Sequence, residues 1–347
     1  MTETLQRYLD DIENRLNPEA EDTILQGWKD WAEYRIGSDA LPALRPAAPS
    51  KLEWPRININ DAVEDDELMA LREFANVSAR LSYSGNHPLR VRCNYGVANV
   101  ATAFGCGLFK MPRETDTLPN AIKLNEEARV ALAEKPLPDA QAGNFARIFR
   151  TAELYREIVK AYPKIGRYVH IEQPDLQGPM DNLELIWGSE LFYSLVDEPE
   201  LIHAILQKIT DFIVQQLEAW LKLFPENRGT ASYFRHREKG CIALRDDSVM
   251  NLSPAFFEEF IAPYDQQILM RYGGIVHFCG KGDHFIPLLA RLKGLRGINM
   301  SQPHLNDMQK VFSHTIDQGL HLSLSIDYAP QGNHAYENLL LLGHDRG

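Results

Sequence analysis

Residues 241–284 read CIALRDDSVMNLSPAFFEEFIAPYDQQILMRYGGIVHFCGKGDH, and their order decides the fold class. An apolar run at 241–246 has strand length. Ser253 and Pro254 then open a helical pattern over 254–272, with Glu258 and Glu259 in its first turns. A second short apolar run follows at 274–279. Working outward, runs of the same kind stand at 89–95, 168–172, 297–300 and 320–326, with amphipathic patterns between them, clearest at 198–223. Strands alternating with long helices imply a parallel sheet. No GxGxxG follows the first strand and no GxxxxGK[ST] occurs, which turns the reading away from dinucleotide-binding and P-loop folds. Polar residues end several of these strands, where barrel enzymes assemble their sites. The expected fold is therefore an α/β (β/α)8 TIM-type barrel.

Upstream the texture differs. Leu5, Leu9, Ile12 and Leu16 recur at helical spacing, and Ile24, Trp28, Trp31 and Tyr34 mark a second helix. Residues 41–57 hold four prolines and read as an extended linker, and 63–80 as another helix. The chain divides on this reading into an N-terminal helical appendage with linker, 1–84, and a barrel, 85–347.

The chain has 347 residues, with 36 Lys plus Arg against 48 Asp plus Glu, a net charge of −12. That balance opposes nonspecific binding to nucleic acid or an anionic membrane surface. No hydrophobic leader opens the chain and no run of 18 apolar residues occurs. Cys93, Cys106, Cys241 and Cys279 form no CxxC pair. The expectation is a cytoplasmic protein with free thiols.

Five segments carry candidate chemistry. In GGIVHFCGKGDH (273–284), His277 and Cys279 lie two apart on a strand, so both face one way. Imidazole and thiolate are good zinc ligands. In GCIALRDDSVMNLSP (240–254), Arg245 and Asp247 take the phase opposite to Ile242 and Leu244, aimed at the barrel mouth. In PLRVRCNYG (88–96), Arg92 and Asn94 face inward by the same argument, while Cys93 and Tyr95 share the apolar phase. An inward arginine suits a carboxylate substrate. In HIEQPDLQGPMDN (170–182), a strand runs into a loop bearing Asp175 and Gln177, and Asp181 reads as a helix N-cap. INMSQPHLND (298–307) adds Ser301, Gln302 and His304 after another strand.

Taken together, RCNYG, PDLQGPMDN, RDDSVMNLSPAFFEEFIAPYDQQIL, GGIVHFCGKGDH and GINMSQP, in that order over roughly 85–328, resemble the uroporphyrinogen decarboxylase-like superfamily, closest to a bacterial subgroup. The resemblance implies a (β/α)8 barrel. It implies one of two activities: cofactor-free decarboxylation of a carboxylated tetrapyrrole, or methyl transfer from a corrinoid to a zinc-activated thiol. True decarboxylases carry MRQAGRY at the first strand, where this chain has VRCNYG. The methyltransferase branch carries an HxC pair, matched by His277 and Cys279, and takes a third ligand, a cysteine, from the last strand. No cysteine follows Cys279 here, and the chain leaves open whether an eighth strand is present.

The expected function is zinc-dependent methyl transfer from a corrinoid or related donor to a thiol. The alternatives are decarboxylation of a tetrapyrrole or other ring, and a noncatalytic small-molecule-binding barrel. The expected metal ligands are His277, Cys279 and Asp247, with His236 and then Cys93 as substitutes for Asp247. Asp247, Arg245 and His277 are the expected catalytic residues. Arg92, Asn94, Tyr95, Asp175 and Gln177 are expected to bind substrate. A small-molecule substrate, a corrinoid protein and a homo-oligomer are the partners this reading admits, with no nucleic acid and no membrane.

Overall fold

The computed structural model describes all residues except 42–43, 234, 326–327 and 343–347. Eleven strands are present among them: β1 Leu89–Arg92, β2 Gly107–Phe109, β3 Asn120–Ile122, β4 Val169–Glu172, β5 Thr230–Tyr233, β6 His236–Lys239, β7 Ile242–Arg245, β8 Gly274–Phe278, β9 Leu295–Met300, β10 His321–Ser325 and β11 Leu339–Leu342. Five form a sheet in the order β11-β10-β9-β8-β7, every pairing parallel, and β1 pairs parallel with β4. β2–β3 and β5–β6 are antiparallel hairpins. All five residues of β8 are buried, as expected of a strand covered on both faces.

Loop contacts bring β4 beside β7. Gly178 N–H donates to Arg245 O at 2.7 Å, and Gln173 Nε2 to Cys241 O at 2.5 Å. The parallel strands then follow one another in chain order, as in a TIM-type fold. The ladders do not close into the expected eight-stranded ring among the described residues. Seven parallel strands are present, with no ladder between β4 and β7 or between β11 and β1. A cavity of about 500 Å³ separates β11 from the segment leading into β1, lined by Trp28, Asn86, His87 and Leu339–Leu342 among others.

Helices cover the sheet. The longest, Pro199–Leu223, starts with proline at its first turn and buries Ile202, Ile205, Leu206, Ile209, Phe212, Ile213, Leu217 and Trp220, one continuous stripe at helical spacing. The N-terminal helix Glu3–Arg15 sends Leu5, Leu9 and Ile12 into the same hydrophobic cluster as the strands.

The N-terminal ends of the strands are capped from below. β6 lays His236 and Glu238 into buried positions there. Glu238 accepts from Trp31 Nε1 and pairs with His321 Nδ1, each at 2.8 Å. Trp31 and Tyr34 stack on the His321 ring, both with centroids at 3.9 Å. Trp31 belongs to the helix Pro18–Ala32, which thereby closes the end opposite the polar mouth. No described helix is long and apolar enough to cross a membrane.

Candidate metal and substrate site

The register of the parallel strands sets one layer of inward side chains near their C-terminal ends. Arg92 on β1 sits opposite Glu172 on β4; Arg245 on β7 sits opposite His277 on β8, which neighbours Asn299 on β9 and then Ser323 on β10. Each of these strands alternates an apolar outward residue with one of these polar ones, because the outer face packs on helices.

Asn299 organises half of this layer. Its Nδ2 donates to Ser323 O at 3.2 Å and Ser323 Oγ at 2.7 Å. A carbonyl can only accept, so the amide's NH2 faces Ser323 and its oxygen faces His277. His277 Nδ1 lies 2.6 Å from that oxygen and must carry the proton. The Nε2 lone pair is thereby left to point the other way, where Cys279 Sγ lies at 3.4 Å and Asp247 Oδ1 at 3.7 Å. Potential ligand atoms of Asp247, His277 and Cys279 all lie within 4.8 Å of one another. A tetrahedral zinc with Zn–S of about 2.3 Å and Zn–N or Zn–O of about 2.0–2.1 Å places its ligand atoms roughly 3.3–3.6 Å apart. The donor set fits zinc, the two distances from His277 Nε2 lie close to that spacing, and three protein ligands would leave a fourth position open.

Burial keeps the His277 imidazole neutral by lowering its pKa, which Asp247 only partly opposes. Burial also raises the Cys279 thiol, against the hydrogen bond to Ser301. Asp247 Oδ1 accepts the Cys279 N–H at 2.7 Å, so the aspartate also holds the backbone at the strand end.

The other half of the layer is an ion-pair cluster. Asp175 Oδ2 pairs with Arg245 and with Arg92 Nη1, the latter at 3.4 Å. Gln177, at φ 51°, donates through Nε2 to Asp175 Oδ1 at 2.6 Å. Asn94 accepts from Arg92 Nη2 at 2.8 Å. Arg90 pairs with Glu172 one step deeper. A cavity of about 90 Å³ opens among Arg90, Arg92, Glu172, Asp175 and Arg245. A wider one, about 550 Å³, borders Gln177, Asp181, Asp247 and Ser248.

The structure thus brings His277, Cys279, Asp247, Arg245, Arg92, Asn94, Asp175 and Gln177 to one end of the sheet. Tyr95 does not join them. It is buried on the helix side, its hydroxyl bonded to Asp66 at 3.1 Å and Thr151 at 2.7 Å. Cys93 is buried in the same outward phase, and burial pushes its thiol up. His236, the first substitute for Asp247 as a ligand, is instead part of the hairpin beneath the strands, because β6 turns back antiparallel to β5 before β7 begins. Asp181 is not an N-cap: that position, ahead of the helix Pro179–Trp187, is taken by Gly178. Its carboxylate accepts Asp247 N–H at 2.9 Å and Ser248 N–H at 2.8 Å, fixing the loop that presents Asp247. Gln302 Oε1 accepts Gly280 N–H at 2.6 Å, and His304 is exposed.

Asn299, Glu172, Asp246 and Asp265 were not read as site residues. Asp246 and Asp265 are fully buried against each other. Burial raises the pKa of both, Asp265 to about 8. Gly178 is packed on Asp246: a Cβ there would fall 1.8 Å from Asp246 Oδ1.

No protein-family model and no curated protein sequence matches the chain. Among solved structures it is similar to a methyltransferase from Methanosarcina mazei, with a TM-score of 0.59 and 18% identity over 78% of this chain and 72% of that one. The two share a fold, a mixed α/β architecture with a parallel sheet.

Proposed function

We propose that the chain is a zinc-dependent methyltransferase of the uroporphyrinogen decarboxylase-like superfamily, built on a (β/α)8 barrel and acting on a small thiol. The observation that carries this reading is the His277–Asn299–Ser323 chain, which leaves a lone pair on His277 Nε2 beside Cys279 and Asp247. Buried metal-binding histidines are oriented by such partners. His277, Cys279 and Asp247 would hold the ion. The chemistry that zinc supplies when bound is a substrate thiol kept as thiolate at neutral pH, a better nucleophile than the thiol.

The remaining residues have positioning roles. Asp181 and Ser248 fix the Asp247 loop. Arg92, Asn94, Arg245, Asp175 and Gln177 orient the substrate from the neighbouring strands. The likeness to a methyltransferase fold supports this reading, and the superfamily resemblance names a methylated corrinoid, carried by a partner protein, as donor.

Decarboxylation of a polycarboxylated ring is less well supported. The guanidinium groups that line the small cavity are already engaged by carboxylates of the chain itself, Arg90 by Glu172, and Arg92 and Arg245 by Asp175. A polycarboxylated ring would have to compete with them.

The test is spectroscopic. Zinc-loaded protein is mixed with methylcobalamin and a panel of small thiols, and demethylation of the corrinoid is followed by visible absorbance. Thiol-dependent demethylation that disappears in Cys279→Ala supports the proposal. Equal rates in the Cys279→Ala protein would remove it.

A further inference from the structure

The helix Pro18–Ala32 and the hairpin β5–β6 border a cavity of about 570 Å³ on the side of the fold away from the polar mouth, a size ordinary for small-molecule sites. Asp22, Lys29, Glu33, Arg167 and Arg237 line it. Arg167 pairs with Asp22 at 2.8 Å, and Glu33 with Lys239 at 2.9 Å. Two lining cations are left over. Lys29 is exposed and makes no ion pair, although its charge reaches Asp30 and Glu33. Arg237 is half-buried, and among the described residues its guanidinium has neither an ion pair nor a hydrogen bond. Its Nε is shut off from solvent, while neither Nη is shut off in that way. Burial lowers its pKa, and no carboxylate opposes the shift. Other guanidiniums drawn into the fold are paired: Arg45 with Glu21, Arg90 with Glu172 and Arg129 with Glu190. A charge taken from water without a counter-charge is costly, so Arg237 marks a place where an anion belongs.

We propose that this cavity is a second binding site, for a phosphate group, with the Nη atoms of Arg237 on its oxygens and Lys29 as the second charge. The planar guanidinium fork matches phosphate geometry, and lysine serves it as a point charge. Two cations without ion pairs suit the charge of a phosphate near neutral pH, about −1.5 to −2. A carboxylate would balance only one of them. The lining also includes Leu25, Gln26 and Ala32, so the cavity has room for the organic part of a phosphate ester. None of the residues at the mouth takes part, so the assignment stands whether or not the zinc reading does.

Isothermal titration of the full-length chain, stripped of metal by a chelator, with inorganic phosphate, phenyl phosphate and benzoate at constant ionic strength tests it. The expected result is that at least one of the two phosphates binds tenfold or more tighter than benzoate. Phenyl phosphate binding tenfold tighter than inorganic phosphate would assign the site to an ester, and comparable affinities to the free ion. Arg237→Met keeps the stem and removes the fork, and is expected to lose tenfold or more in phosphate affinity. Lys29→Gln, at an exposed position where folding is not at stake, is expected to lose threefold or more. Both variants leave the arginines of the mouth intact, so these losses locate the anion in this cavity. No binding of either phosphate at about 10 mM, or benzoate binding as tightly as both, would overturn the assignment without recourse to a variant. Undiminished phosphate affinity in folded Arg237→Met or in Lys29→Gln would overturn it too.

Discussion

Replacing Asn299 by alanine isolates the step on which the metal site depends. Asn299 is buried and ties His277 Nδ1 at 2.6 Å to Ser323 Oγ at 2.7 Å. Asn299→Ala leaves the imidazole N–H without its acceptor and lets the ring exchange tautomers or rotate. Partners of this kind are worth roughly 10–100-fold in metal affinity, or about 1.4–2.7 kcal/mol. The same deletion orphans buried polar groups at a cost to folding of about 1–3 kcal/mol. The assay is competition for zinc against a chromophoric chelator, with thermal melting alongside to establish that the variant is folded. Asn299→Asp is the control, since a carboxylate still accepts from Nδ1–H and should retain most of the affinity. Folded Asn299→Ala with wild-type zinc affinity would refute the tautomer argument. An equal loss in Asn299→Asp would assign the effect to packing rather than to the acceptor.

Asp247→Ala is expected to weaken zinc binding at least tenfold, about 1.4 kcal/mol, in the same competition assay. Retention of full affinity would leave His277 and Cys279 as the only ligands of the three. His236 predicts a pH effect on stability. Burial lowers its pKa from 6.5 to about 4, so the unfolded chain binds a proton that the native chain refuses. Its contribution is fully present above about pH 6.5 and is lost as pH falls toward 4, about 3 kcal/mol in all. Urea unfolding at pH 7 and pH 5 should show the loss, and His236→Gln should shrink the difference between the two.

The strands with alternating polar and apolar residues were legible because the pleat ties phase to burial. The reading of 89–95 put Arg92 and Asn94 inward and Cys93 and Tyr95 outward, and the structure places Arg92 against Asp175 and Tyr95 against Thr151. The same logic argued against Tyr95 as a substrate contact, although it was named as one. β11 was not anticipated: Leu339–Leu342 is an uninterrupted leucine run with no alternation to mark a strand. β6 was missed for the opposite reason. His236, Arg237, Glu238 and Lys239 look like a solvated segment, and only the partners brought by Trp31 and His321 explain their burial. Asn299 and Glu172 could have been found by extending the inward phase of their strands, since each is two residues from a position that faces the interior. The Asp246–Asp265 contact joins residues distant in sequence by tertiary packing alone and left no local signal.

The central claim is that His277, Cys279 and Asp247 form a zinc site. Elemental analysis of protein expressed in zinc-replete medium tests it most directly, run in parallel on wild type and Cys279→Ala. The account predicts about one zinc per chain in wild type and none retained by the variant. Metal-free wild type, or full occupancy in Cys279→Ala, would contradict it.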